Sequence, residues 1–301
     1  MIVKRKALLA AVLAGALLAG TANVALALQA NPPARIAEIL ASPDRSAADR
    51  TNDQRRKPAE MLAFIGIVPG ITALDLSAGG GYTTELLARS IGPTGAVYGQ
   101  SRPRNPDQPA ARPAAPEGNA NPTAAAAPAA AAPPAAPAAA PTAAPAAPRP
   151  SPVALADRSD KLKAAGIQAA PIVALVRPFE DPVPSELASG RLDLVTLMFN
   201  YHDLGFLGVD RAKMNEAVFK ALKPGGFYVI ADHSGRPGTG ISESGTLHRV
   251  EEAFLRREVE AAGFKLAAEG NFLRNPGDPR DKNTPDPPQP KDEFVLKFVK
   301  P

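Results

Sequence analysis

The chain has 301 residues, with 34 Lys and Arg against 30 Asp and Glu, and no cysteine. Disulfides and a lipid-anchored cysteine are therefore excluded. The net charge is +4, of which Lys4, Arg5 and Lys6 supply three, so the chain after residue 27 carries 4 − 3 = +1. That balance, with no basic patch interleaved with aromatics, leaves nucleic-acid binding without support.

The chain opens with a basic start (Lys4 to Lys6), an apolar stretch (Ala7 to Gly20) and a small-x-small site at Ala25-Leu26-Ala27. This pattern predicts an export signal over residues 1–27, too short to span a bilayer comfortably, with an uncleaved anchor as the alternative. The expected location is periplasmic or secreted, with no stable membrane insertion after cleavage. The remaining 301 − 27 = 274 residues are expected to form a single domain over 28–301. From Ser101 to Pro152 the sequence is nearly all Ala and Pro and holds 15 of the 34 prolines. It lacks the large apolar residues that offset ordering entropy, so it reads as a disordered insertion within the domain.

Elsewhere strand and helix alternate. Ile36 to Leu40 and Pro58 to Ile65 read as helices, and Pro69-Gly70 turns the chain into a first strand, Thr72 to Leu76. This strand ends in Asp75 and runs into Ser77, Ala78 and three consecutive glycines, Gly79 to Gly81; Tyr82 and Thr83 follow, then a helical pattern at Leu86, Leu87 and Ile91. A strand, a glycine turn and a helix in succession are the signature of a doubly wound sheet that holds a nucleotide-like ligand. Glycines let the backbone approach the ligand, and the helix start offers free N–H groups. The dinucleotide fingerprint Gly-x-Gly-x-x-Gly does not fit the spacing.

Gly95 to Gln100 reads as a second strand, Asp157 to Ala165 as a helix and Pro171 to Val176 as a third strand. Leu192 to Phe199 is a continuous apolar run, as in a buried parallel strand. Met214, Val218, Ala221 and Leu222 mark a helix by their spacing. Lys223-Pro224-Gly225-Gly226 then breaks the pattern and leads into a fifth strand, Phe227 to Ala231. A helix is expected from Leu247 to Ala262, closed by Gly263. Two late strands, near Phe264 to Phe272 and Glu293 to Lys300, flank a polar loop (Asn275 to Lys291) that reads as mobile.

The run Leu74 to Thr83 resembles the first motif of the class I S-adenosylmethionine-dependent methyltransferases, acid-x-Gly-x-Gly-x-Gly. Asp75, Gly79 and Gly81 match it, and Ser77 stands at the first glycine. Leu222-Lys223-Pro224-Gly225-Gly226 and Ala262-Gly263-Phe264 are similar to later features of that family. Gly79 to Thr83, Asn200-Tyr201-His202-Asp203, Asp232-His233 and Leu247-His248-Arg249 look like a group of exported predicted bacterial methyltransferases. The resemblance implies an α/β fold: a doubly wound, seven-stranded, mostly parallel Rossmann-like sheet whose last strand is antiparallel and lies between the fifth and sixth. It implies S-adenosylmethionine as cofactor and a small molecule as substrate. Asp75, Ser77, Ala78, Gly79, Gly80, Gly81, Tyr82 and Thr83 would border the methionine part. Gln100 stands near the position where the family holds the ribose with an acid, so the grip would be weaker. Asn200 would complete the cofactor wall, and Arg177-Pro178-Phe179 lies where the adenine edge is often read, although Phe179 also suits the core.

Ligands in such sheets bind beyond the carboxyl ends of the strands. The chain has three histidines, His202, His233 and His248. His202 and His233 are expected to end adjacent strands, and His248 to open the next helix at the same rim. With Asp203 they form the candidate catalytic set, and His202 is the candidate general base. No compact ligand spacing supports a metal, and none is assigned, although two or three imidazoles with Asp203 and Asp232 would suit one. Glycines 235, 238, 240 and 245 suggest a lid between His233 and His248. Two alternatives remain open: an exported, non-catalytic module that binds a nucleoside or similar ligand, and a metal-dependent hydrolase at the histidine rim. Acceptor and oligomeric state are not legible.

Overall fold

The computed structural model describes residues 29–103, 149–283 and 289–301. The expected signal (1–27) and residues 104–148 of the expected insertion lie outside the described residues. Seven strands form one sheet in the order β3-β2-β1-β4-β5-β7-β6. They are β1 (Thr72–Leu76), β2 (Ala96–Ser101), β3 (Ile172–Val176), β4 (Leu192–Met198), β5 (Leu222–His233), β6 (Lys265–Gly270) and β7 (Glu293–Val299). β1 to β5 pair in parallel, and β7 runs antiparallel between β5 and β6. This is the strand order the resemblance implies. The fold is that of the class I methyltransferases.

Two apolar layers hold the sheet. One packs the helices α1 (Pro33–Ala41), α3 (Pro58–Ile65) and α4 (Tyr82–Ile91) through Ile36, Met61, Leu62, Leu87 and Ile91. The other packs α7 (Arg211–Ala221) and α8 (Glu252–Ala261) through Met214, Val218, Leu255 and Val259. α5 (Ser151–Ala164) covers β2 and β3 beside α4. β1 and β4 are buried on both faces, which explains why apolar residues fill successive positions in each without strict alternation.

Four expectations need correction. The helix α2 (Ala47–Arg56) was not expected, because AADRTNDQRR has no apolar stripe. Its start is capped by Ser46, which accepts from the Asp49 N–H at 3.1 Å. Ion pairs then fix it: Arg45 forks onto Asp53 at 2.6 and 2.7 Å, and Asp49 receives Arg158 of α5 at 2.8 Å. Around the Ala/Pro-rich stretch, Ser101 ends β2, and Ser151 and Pro152 open α5, where the fixed φ of proline suits a first turn. α8 begins at Glu252, not Leu247. Val250 instead bonds to the end of β5, its N–H on the His233 carbonyl at 3.1 Å and its own carbonyl taking the Gly235 N–H at 2.8 Å. His248 is thus a loop residue. The described part of the Asn275–Lys291 loop is also pinned: Asp278 pairs with Arg249, and the Asn275 N–H bonds Asp292 at 2.7 Å.

Among the described residues no helix is long and apolar enough to cross a membrane.

Candidate functional site

The glycine bend sits at the carboxyl end of β1, between β2 and β4. Ser77, Gly79 and Gly81 all have φ between +53° and +79°. Ser77 therefore keeps the left-handed backbone that a glycine takes freely, at a strain of about 1–2 kcal/mol. Its hydroxyl donates to Asn200 Oδ1 at 2.6 Å, and its N–H to Gln100 Oε1 at 3.0 Å. The bend has one open and one closed side. A Cβ on Gly80 would meet nothing within 4 Å, and one on Gly79 only the Ser77 carbonyl at 3.8 Å. A Cβ on Gly81 would strike Leu155 at 2.7 Å and Arg158 at 2.8 Å. Gly81 thus lets α5 pack against the start of α4, while Gly79 and Gly80 border a hollow. A separate charged cleft of about 260 Å³ lies between α2, α4 and α5 and touches the bend only at Gly80; Asp49, Glu85, Asp157 and Arg158 line it, and Ser77, Gly79 and Asn200 do not.

Several predicted cofactor residues stand behind this hollow. Asp75 is buried, and its two oxygens accept from the Thr84 hydroxyl at 2.6 Å and the Thr196 hydroxyl at 2.8 Å. It ties β1 to α4 and β4. Burial pushes its pKa up from 3.8 to about 6, against the pull of those two hydroxyls. Folding therefore favours the protonated acid, and stability falls as pH rises from about 4 to about 6. The displacement corresponds to about 3 kcal/mol. Asp75→Asn should remove this fall: by urea unfolding, the variant should gain about 2–3 kcal/mol on the native chain between pH 4 and pH 7. Parallel curves would show an acid that is not penalised by its site.

Gln100 is fully buried, and its amide is spent on backbone, accepting from Ser77 and donating to the Arg177 carbonyl at 2.6 Å. It is not directed at a ribose. Ser101, next along, is half-buried, and its hydroxyl donates to the Leu175 carbonyl at 3.4 Å. Tyr82 turns to α2, its hydroxyl on Asp53 at 2.7 Å, and Thr83 is half-buried in the first turn of α4. Arg55 and Arg56 of α2 lie over the Phe199 ring, each 4.7 Å from its centre. Phe179 belongs to the core.

The four predicted catalytic residues do come together. The His202 ring lies 5.2 Å from that of His233 and 5.6 Å from that of His248. His202 is clamped by two acids: Nδ1 meets Asp232 Oδ1 at 2.6 Å and Nε2 meets Asp203 Oδ1 at 3.1 Å. Burial alone would lower its pKa, but Asp232 and Asp203 outweigh that and raise it from 6.5 to about 10. Both ring nitrogens are engaged by carboxylates, so neither is free to take a proton from an acceptor, which corrects its assignment as general base. Asp232 also accepts the backbone N–H of His202 at 2.8 Å and of His233 at 2.7 Å, so it organises the ends of β4 and β5. An acid beside a histidine at a strand end was the available signal for it. His233 is buried behind His202 and pairs with Glu293 of β7 at 2.9 Å, a carboxylate that Arg55 also reaches at 2.5 Å.

Asp203 and His248 face the solvent, with 24% and 39% of their side chains exposed. Asp203 Oδ1 meets His248 Nδ1 at 3.3 Å, and Oδ2 accepts from Asn200 Nδ2 at 2.8 Å. His202 and His248 hold Asp203 below the usual carboxylate range although burial opposes them. One hydrogen-bonded chain thus runs from Ser77 through Asn200 to Asp203. Of the five described non-glycine residues at positive φ, three (Ser77, Phe199 and His248) border this region. Such strain persists where surrounding structure over-determines it. The glycine-containing loop after His233 packs down: a Cβ on Gly205, in the short helix α6 (Asp203–Phe206), would strike Ile241 at 2.7 Å.

No family model matches the chain, and no curated protein matches it. Among solved structures it is similar to a SAM-dependent methyltransferase from Aquifex aeolicus, at 15% identity over 90% of this chain and 100% of that one, TM-score 0.49. It is also similar to a TehB-like SAM-dependent methyltransferase from Corynebacterium glutamicum, at 15% identity over 84% and 98%, TM-score 0.42. An arsenic(III) S-adenosylmethionine methyltransferase from Chlamydomonas reinhardtii matches at 13% over 90% and 74%, TM-score 0.48. The fold rests on the strand order itself.

Proposed function

We propose that the chain is an exported S-adenosylmethionine-dependent methyltransferase acting on a small molecule. The observation that carries this reading is the open side of the bend at Gly79 and Gly80, joined through Ser77 and Asn200 to a carboxylate–histidine cluster. When bound, S-adenosylmethionine supplies a methyl group on a positively charged sulfur. The chain's part is alignment, which methyl transfer requires above all. Ser77 to Gly80 would border the methionine part, and Ser101 would offer its hydroxyl to the ribose. His202 and His233 lie behind, so contact with the acceptor falls to Asp203 and His248. Asn200 spans both halves. Export places the protein where the cofactor must be supplied from cells.

Ser77, which stands at the first glycine of the motif and keeps a left-handed backbone, favours a second reading, in which the same hollow holds a nucleoside and transfers nothing. A thermal-shift series separates the two. A ligand at 100 times its dissociation constant adds about 2.7 kcal/mol to stability. S-adenosylmethionine and S-adenosylhomocysteine should each raise the melting temperature, and adenosine far less. An equal response to adenosine would favour the binding module.

A further inference from the structure

The three groups that meet at Asp203 have the spacing of a metal-ligand set. Two ligand atoms each about 2.1 Å from one ion lie about 3.0 Å apart at a right angle and about 3.4 Å apart at the tetrahedral angle. His202 Nε2 and Asp203 Oδ1 are 3.1 Å apart, and His248 Nδ1 and Asp203 Oδ1 are 3.3 Å apart. All three atoms lie within 4.8 Å of one another. The geometry points to a divalent transition-metal site formed by His202, Asp203 and His248.

The surroundings fit that use. Metal-binding histidines almost always give their second nitrogen to a carboxylate or carbonyl, which fixes the ring. Here Asp232 holds His202 Nδ1 at 2.6 Å and also takes two backbone N–H groups, so the carboxylate is itself anchored. Asn200 holds the second oxygen of Asp203 at 2.8 Å, which leaves Oδ1 to point at both imidazoles. His248 is kept at φ +52°, a conformation a histidine leaves unless held. Asp203 and Asp232 together bring two negative charges to His202, and an ion bound between Nε2 and Asp203 Oδ1 would take the place of the ring proton that now lies there. Two imidazoles and one carboxylate suit Zn²⁺, Fe²⁺ or Mn²⁺ better than Ca²⁺ or Mg²⁺, which prefer oxygen alone.

A second set, His202, Asp232 and His233, is also close enough to share an ion, but all three residues are buried. The Asp203 set opens to solvent through His248, so it leaves positions for water or for a substrate oxygen. An ion there would sit one residue, Asn200, away from the glycine bend. Its ligand would be an anionic oxygen, nitrogen or sulfur donor on the acceptor. The site stands whether or not the hollow takes the sulfonium cofactor.

The test is a titration of the chelator-stripped, signal-processed chain with Zn²⁺ and with Co²⁺, without cofactor, followed by calorimetry and visible absorption. The expected result is one ion per chain and a Co²⁺ ligand-field spectrum. His248→Ala and Asp203→Asn should each weaken binding by about 100-fold or more, beyond the 10–100-fold that outer ligand partners carry. His233→Asn should leave binding within a few fold. Absence of binding by the native chain would overturn the assignment. So would binding that survives both His248→Ala and Asp203→Asn, or binding lost only in His233→Asn. The native titration decides even if a variant fails to fold. S-adenosylmethionine added afterwards to the same sample reports on the hollow separately.

Discussion

Arg249→Met is expected to destabilise the protein by about 3–5 kcal/mol, the cost of leaving one partner of a buried ion pair without the other. Arg249 and Asp278 both have fully buried side chains. The guanidinium forks onto the carboxylate at 2.7 and 3.1 Å and also donates to the Ser234 and Lys282 carbonyls at 3.0 Å each. It therefore staples the loop before β7 to the segment after β5, directly beside His248. Methionine fills part of the volume and none of the charge. By thermal or urea unfolding the midpoint should fall steeply, about 2–4 °C for each kcal/mol in a domain of this size. Arg249→Met combined with Asp278→Leu should recover much of the loss, since the uncompensated carboxylate is then gone. A single variant within 1 kcal/mol of the native chain would show that the pair is not dry.

Gly80→Leu should keep the fold and abolish ligand binding. The backbone at Gly80 is in an ordinary region and a Cβ there would touch nothing within 4 Å, so stability should stay within about 1 kcal/mol of native. On the methyltransferase proposal, the leucine would occupy the space that the sulfonium cofactor needs, and affinity should drop by about 100-fold or more, roughly 3 kcal/mol. Gly81→Leu supplies the opposite pattern. At φ +79°, with Leu155 and Arg158 within 2.8 Å of the added carbon, it should lose about 2–4 kcal/mol of stability through strain and overpacking. If Gly80→Leu binds S-adenosylmethionine as the native chain does, the ligand is held elsewhere.

The sheet was legible because β1 and β4 are buried on both faces and so carry no strict alternation, and because Gly70 and Gly263 mark turns where φ is positive. α2 was not legible. Its stability comes from Arg45–Asp53 and Asp49–Arg158, contacts that leave no periodic trace in sequence. The start of α8 was misplaced because Leu247 and Val250 mimic helical spacing, whereas Val250 pairs with the end of β5. At the site, the meeting of His202 and His233 followed from the ends of adjacent strands, whereas His248, expected at a helix start, joins them from a loop. The charge on His202 did not follow, since it depends on acids from two different elements, Asp232 and Asp203. The direction of Gln100 was equally hidden: its amide bonds two backbone groups, one 23 and the other 77 residues away. Arg249 could be noticed as part of a motif, but its partner lies 29 residues away in a polar loop.

What enters the hollow beside Gly79 and Gly80 decides between a methyltransferase and a protein that only shares its fold. Isothermal calorimetry of the native chain with S-adenosylmethionine measures that directly. The account predicts a single saturable isotherm with one ligand per chain, retained in Asp75→Asn and lost in Gly80→Leu. No heat at high micromolar cofactor, in a chain that melts cooperatively, would contradict it.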